Sequence, residues 1–339
     1  MNPGGRNAGP AEAPPGRLAA DRSCPVYSSP MTAAPEPFRL IDLEHGGRPE
    51  SVAACLLETR DGPAVVDPGP ASTLPKLEAG LGKHGYAIAD LSALLLTHIH
   101  LDHAGASGTL ARMNPRLRVY VHQAGAPHVT DPSKLLASAT RLYGERMEEL
   151  WGEVAPVPPD RTSVLEGGER LDIGGRTIEV AYTPGHAWHH VTYFEPATGT
   201  AFVGDTGGLR TPGMPWVLPV TPPPDFDLEA WYGSIDRILA WKPSRIVLTH
   251  FGPAEDPASH LEELRRGLGE WAGYARETLA LEGSDPDRVR AFVARLEAWT
   301  DGRIPAERAR RFLASAAPEA CWQGLARYWK KTEGRKDGR

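Results

Sequence analysis

Apolar residues along this chain fall into two rhythms. Short runs closed by polar residues or by Gly and Pro predict strands at 38–45, 51–59, 63–66, 91–97, 117–122, 162–165, 169–173, 176–182, 191–194, 200–203 and 245–248. The first two pair across Gly46-Gly47, and those at 191–194 and 200–203 form a hairpin. Gly167-Gly168 and Gly174-Gly175 mark turns between the strands around them. Spacing of three and four predicts helices at 74–84, 105–113, 134–151 and 228–241. In 134–151 the apolar positions are Leu135, Leu136, Ala139, Leu142, Met147 and Leu150. Such a helix either leans over a cleft or packs on the surface.

Strands alternating with helices and hairpins predict a mixed α/β (α+β) fold over residues 36–254. From about residue 255 only the helical rhythm remains. It is carried by Leu261, Leu264, Leu268, Trp271, Ala275 and Leu279, then by Val289, Phe292, Val293, Leu296 and Trp299. A third helix is expected over 312–329. Residues 255–332 therefore read as a helical C-terminal region appended to the core, and 333–339 as a charged, solvated tail. The first 35 residues, rich in Pro, Gly and Ala, contain no apolar segment of signal-peptide type and read as a disordered extension.

Composition narrows the classes. A chain of 339 residues with 41% hydrophobic residues and 9 Trp can bury a sizeable core. A net charge of −6 gives no general attraction to nucleic acid. No apolar run reaches the length of a membrane span. Cys24, Cys55 and Cys321 are far apart and form no CxxC pair, which argues against a disulfide framework or a thiolate zinc site and for a cytoplasmic protein.

The chemistry gathers at strand ends. Residues 97–103 read Thr-His-Ile-His-Leu-Asp-His directly after the apolar run 91–96. On an extended segment His98 and His100 project to one side, and Asp102 can cap a helix opening at His103. A Pro-Gly turn then offers His186, the strand 200–203 ends in Gly204-Asp205-Thr206, and the strand 245–248 ends in Thr249-His250. Five His and two Asp are enough for two adjacent divalent metals, most readily Zn²⁺, with iron or manganese also suited. Seven N/O ligands on loops, without Cys, point to an open catalytic site and not a closed structural one. Asp67, where the strand 63–66 opens into Pro68-Gly69, is either functional or a turn former. His189 and His190 read more simply as strand residues packed beside Trp188 than as substrate contacts. Trp216 and Met214 in the Pro-rich loop 211–224 either line an apolar pocket or pack.

The ordered set His98-Ile99-His100-Leu101-Asp102-His103, Pro184-Gly185-His186, Gly204-Asp205-Thr206 and Thr249-His250-Phe251-Gly252, with Val66-Asp67-Pro68-Gly69 before it, resembles the metallo-β-lactamase-fold hydrolases in their binuclear, glyoxalase II-like branch. The resemblance spans roughly 38–253. It implies an αββα sandwich with metals at one edge. His98, His100 and His186 would hold one ion, Asp102, His103 and His250 a second, and Asp205 would bridge them. Asp67 would orient the ligand loop. A hydroxide shared by the two ions would attack the substrate, with Asp102 accepting or relaying a proton. The expected substrate is a small ester, thioester or lactone. The helical C-terminal region matches glyoxalase II, but the basic and aromatic glutathione-binding pattern of those enzymes has no counterpart after Asp205. Gly208 stands where acyl-homoserine-lactone lactonases carry Tyr, which speaks against that activity. Two alternatives come from other classes. Persulfide dioxygenases of this fold use one iron, which the complete second set Asp102, His103 and His250 argues against. A metal-containing ligand-binding protein with minor turnover is the other. The chain itself does not specify an oligomeric state.

Overall fold

The computed structural model describes residue 1 together with residues 37–300 and 304–337. The expectation of a disordered extension over 1–35 falls almost wholly outside these residues, as does Cys24. Alternation along single strands explains the architecture. In β2 (Ala53–Leu57), Ala54 and Leu56 enter one apolar core, while Cys55 and Leu57 enter another. β3 (Ala64–Val66) and β4 (Ala93–Leu95) divide their residues the same way. A strand buried on both faces reads as a continuous apolar run, which is why these segments stood out in the sequence.

Together with β1 (Arg39–Asp42), β5 (Arg118–His122) and β6 (Thr162–Leu165), these strands form a six-stranded sheet in sequential order. The second sheet holds β7 (Arg170–Ile173), β8 (Arg176–Tyr182), β9 (Val191–Glu195) and β10 (Thr200–Phe202). After a small ribbon of β11 (Leu209–Arg210) and β12 (Val217–Leu218), it is completed by β13 (Arg245–Leu248) and β14 (Gly252–Ala254), in the order β14-β13-β10-β9-β8-β7. The expected hairpin is present as the antiparallel pair β9–β10. Gly167-Gly168, by contrast, does not turn a hairpin. β6 and β7 are edges of different sheets, so the chain crosses between layers there.

One core lies between the sheets, built from Leu57, Leu95, Ile178, Tyr193, Phe202 and Val247 among others. The outer face of the first sheet is covered by α1 (Leu74–Lys83) and α3 (Ser107–Met113), through Leu77, Leu81 and Leu110. The short α2 (Leu101–Ala104) precedes α3. The outer face of the second sheet is covered by α7 (Leu228–Ala240) through Trp231, Ile235 and Ile238. The chain is thus a helix–sheet–sheet–helix sandwich, as expected.

Three helix readings need correction. Residues 134–151 are not one helix: α4 (Ala126–Thr130) is followed by α5 (Ser133–Tyr143) and α6 (Met147–Trp151), and Gly144, at φ 55°, breaks the last two apart. After α8 (Pro257–Leu279) and α9 (Asp285–Trp299), the segment 312–329 belongs to two helices, α10 (Ala306–Ala314) and α11 (Pro318–Asp337). α11 also runs on into the segment expected as a solvated tail. The C-terminal helices are not a separate appendage in packing terms. Leu261, Leu268, Trp271, Phe292, Phe312, Trp322 and Leu325 share one continuous core with Trp231 and Ile235 of α7.

Candidate metal centre

β3 and β4 pair in parallel, and so do β10 and β13. Parallel neighbours end side by side, so the segments leaving these four strands meet at one edge of the sandwich. They carry Asp67, the 97–103 motif, Asp205 and His250 in turn. The edge is knitted across the sheets by Val191 N donating to Thr97 O at 2.7 Å, Tyr193 Oη to Leu96 O at 2.8 Å, and Ala53 N to Thr249 O at 2.9 Å.

His98, His100, His186 and Asp205 form one group of donor atoms, and Asp102, His103 and His250 a second, each group within 4.8 Å internally. The Nε2 atoms of His98 and His186 each lie 2.9 Å from His100 Nδ1. The Asp205 carboxylate faces both groups. Its Oδ2 is 3.4 Å from His186 Nε2, and its Oδ1 is 3.1 Å from His103 Nε2 and 3.5 Å from His250 Nε2. Asp102 Oδ2 lies 3.3 Å from His250 Nε2. Asp102 does not cap the helix as expected. His100 occupies the N-cap of α2, and Asp102 sits in its first turn.

The far side of each ring fixes which nitrogen points inward. His186 Nδ1 donates to Val220 O at 2.7 Å, His250 Nδ1 to Ser51 O at 2.7 Å, and His103 Nδ1 to Asp67 Oδ2 at 2.8 Å. The Nε2 atoms of all three are therefore turned toward the cluster. Asp67 is fully buried with φ 50° and also accepts from Thr97 N at 2.8 Å, Thr97 Oγ1 at 2.7 Å and Thr249 Oγ1 at 2.8 Å. Left-handed backbone at a non-glycine residue costs about 1–3 kcal/mol, and this network holds it there.

The donor set fits divalent cations. Buried polar atoms without partners are rare, yet His103 Nε2 and Asp205 Oδ1, 3.1 Å apart, are both buried without a partner that meets hydrogen-bond geometry. Convergent imidazole and carboxylate donors of this kind suit Zn²⁺, iron or manganese.

Charge is distributed unevenly. Burial, reinforced by neighbouring imidazoles, holds His98 far below the usual range and His100 down to about 3. Burial also lowers His186, only partly opposed by Asp205. Burial works against protonation of His103 and His250 too, but Asp205 and the other carboxylates outweigh it and both are raised. Likewise burial disfavours charge on Asp102 and Asp205, and is outweighed by His103 and His250, so both carboxyls lie below their usual range.

Other candidates resolve differently. His190 is buried behind His98, its ring stacked at 5.0 Å and its Nδ1 3.0 Å from Thr183 Oγ1. It packs, as expected, though not beside Trp188, whose side chain is exposed. His189 stacks on His98 at 5.9 Å with its Nε2 3.9 Å from Asp225 Oδ2. Trp216 is packed against Trp299 and Phe312, with Met214 against the same core. Thr97 and Thr249 were not singled out in the sequence, although each directly precedes a donor His. Gly208 has φ 72°, and a Cβ there would lie 2.8 Å from Leu264 Cδ1, so packing as well as sequence excludes a Tyr.

The family model of the metallo-beta-lactamase superfamily matches residues 47–250. The metallo-beta-lactamase fold-containing protein ST1585 of Sulfurisphaera tokodaii is 30% identical over 185 residues, which are 52% of this chain and 67% of that protein. A hydroxyacylglutathione hydrolase of a Synechococcus strain is 29% identical over 175 residues, 52% of each, so the chain matches about half the length of that relative. Among solved structures, the metallo-beta-lactamase family protein TTHA1429 of Thermus thermophilus superposes with a TM-score of 0.66 at 22% identity, covering 88% of this chain and 94% of that one. That likeness speaks to the fold.

Proposed function

The chain belongs to the metallo-beta-lactamase superfamily, and from that premise we propose that it is a metal-dependent hydrolase that binds two divalent ions, most readily Zn²⁺, and cleaves a small ester, thioester or lactone. The observation that carries this is the Asp205 carboxylate, whose two oxygens face different donor groups. One group is His98, His100 and His186, the other Asp102, His103 and His250. A dioxygenase with one iron needs only one such group. Relatives that share half their length with the chain include hydroxyacylglutathione hydrolases, which supports the acyl-transfer class.

Bound divalent ions supply Lewis acidity, polarising an acyl oxygen and making water acidic enough to react near neutral pH. The protein's own groups do the rest. Val220 O, Ser51 O and Asp67 fix the rings of His186, His250 and His103, so the site needs little reorganisation on binding. Asp102 is the least buried carboxylate of the cluster, with its side chain 25% exposed toward solvent. Held ionised by His103 and His250, it would accept a hydrogen bond from the attacking water and pass the proton that water loses to the departing alkoxide or thiolate.

Elemental analysis of protein loaded without chelator is expected to find two ions per chain, and a panel of esters, thioesters and lactones is expected to reveal turnover. His100→Ala should lower turnover about 10³-fold, equivalent to roughly 4 kcal/mol of transition-state stabilisation, with the circular dichroism spectrum unchanged. One iron per chain with oxygen uptake would instead make the chain an oxidoreductase.

A further inference from the structure

Between the donor cluster and the C-terminal helices runs the segment 219–226, and it is tied on both sides. Toward the cluster, Val220 O accepts the His186 Nδ1 proton at 2.7 Å. Just beyond the segment, Asp227 N donates to Gly185 O at 2.8 Å. Asp225 Oδ2 lies 3.9 Å from His189 Nε2, three residues past His186. The turn that presents His186 is thus gripped on either side of the ligand itself.

Toward α11, Thr221 N donates to Cys321 Sγ at 3.3 Å, and Thr221 Oγ1 to Cys321 O at 3.3 Å. Both residues are fully buried. The ring of Phe226 stands edge-on to Tyr328 at 5.4 Å. At Gly324 the helix backbone lies flush on the segment, and a Cβ there would be 2.0 Å from Thr221 O and 2.9 Å from Pro222 C. α11 is itself anchored to α8, by Trp322 Nε1 donating to Thr278 Oγ1 at 3.0 Å and Trp329 Nε1 to Ala272 O at 2.8 Å. Pro222, Pro223 and Pro224 stiffen the segment, so displacement at one side is carried to the other.

We propose that α11 is a positioning element for the donor group His98, His100 and His186: through Cys321 and Gly324 it sets the place of the Val220 carbonyl, and with it the ring angle and tautomer of His186. The rings of the second group are held instead by Asp67 and by Ser51 O. This rests on the metal-binding function proposed above and goes beyond it in giving the C-terminal helix a role at one ion only.

Zn²⁺ titration of the full-length protein against a chromophoric chelator tests this, with the visible spectrum of the Co²⁺-loaded protein as a second readout. Gly324→Ala favours the helix locally, so displacement of Thr221 is its main consequence. It is expected to weaken one of two Zn²⁺ steps about 10-fold or more and to change the Co²⁺ spectrum, leaving the other step alone. His100→Ala identifies which step belongs to the first group. Thr221→Val, which removes only the hydroxyl bond to Cys321 O, should shift the same step less. Wild-type affinities and an unchanged Co²⁺ spectrum in both variants would overturn the proposal, as would equal weakening of both steps. A wild-type protein that takes up neither ion would overturn the metal-binding function itself, and this role with it.

Discussion

His98, His100 and His186 make one half of the donor cluster, and Asp102, His103 and His250 the other. The first half is imidazole only, buried, and depressed in basicity by burial and by its own members. The second contains a carboxylate, and the field of Asp205, Asp102 and Asp67 outweighs burial to raise its two imidazoles. Their supports differ in kind as well. The first half leans on a carbonyl of a Pro-rich segment fixed by a distant helix, the second on Asp67 at the end of a neighbouring strand. On the two-ion function proposed above, the two donor groups thus rest on largely different supports; they share Thr97, whose hydroxyl lies 2.7 Å from Asp67 Oδ2 and 3.2 Å from His98 Nδ1.

The largest separation is expected from Asp67→Asn. The substitution keeps the shape but removes the charge facing His103 and at least one of the four bonds that the carboxylate accepts. Partners that orient a ligand typically contribute 10–100-fold in metal affinity. The Zn²⁺ step of the second group should weaken by about that factor, and the step of the first should change much less. Equal weakening of both steps in a chelator titration would dissolve the contrast between the halves.

Protons give the next test. In the metal-free protein the carboxylates shift His103 and His250 toward the protonated form, while burial shifts His98, His100 and His186 away from it. Metal uptake near neutral pH should thus release protons, and chiefly from the second half. Calorimetry in buffers of different ionisation enthalpy measures this. Stability of the metal-free protein follows with opposite signs. The contribution of His103 and His250 is present below the ordinary pKa of 6.5 and is lost as pH rises through their raised values. The depressed His98 and His100 remove stability as pH falls below 6.5, for His100 down to about 3. A thermal midpoint that peaks near pH 6.5 and declines on both sides is expected, and a monotonic profile would contradict the assignment.

Much of this contrast was legible in the chain and part was not. Donors at strand ends follow from short apolar runs closed by polar residues, which is why His98, Asp205 and His250 could be placed before any fold was known. The supports lie elsewhere in sequence. Nothing in Val220, 34 residues from His186, marks its carbonyl as a partner, because a backbone group has no sequence signature. Cys321 reads as an ordinary buried thiol until Thr221, 100 residues away, is seen beside it. Helical spacing located the C-terminal helices but could not tell an appendage from an outer layer, since both require one apolar face. The break at Gly144 was missed because apolar positions on either side keep nearly the same phase.

That break places Tyr143 at the end of α5, where it meets Trp151 edge-on at 5.0 Å and shares a small apolar cluster with Leu101, the residue next to Asp102. Burial first, and then the charge of Asp102, push its hydroxyl up to about 12. It is therefore a neutral donor at every pH at which the site works, and the cluster charge it senses is that of Asp102, in the second half. Tyr143→Phe removes this oxygen and little else. If the hydroxyl contacts substrate or water near Asp102, one hydrogen bond of about 1 kcal/mol is lost, and kcat/KM should fall roughly fivefold. Both Zn²⁺ steps should stay at wild-type affinity, because the ring still fills its place against Trp151. An unchanged kcat/KM would leave Tyr143 as a packing residue against Trp151. A weakened second Zn²⁺ step would instead make it a support of that half, comparable with Asp67.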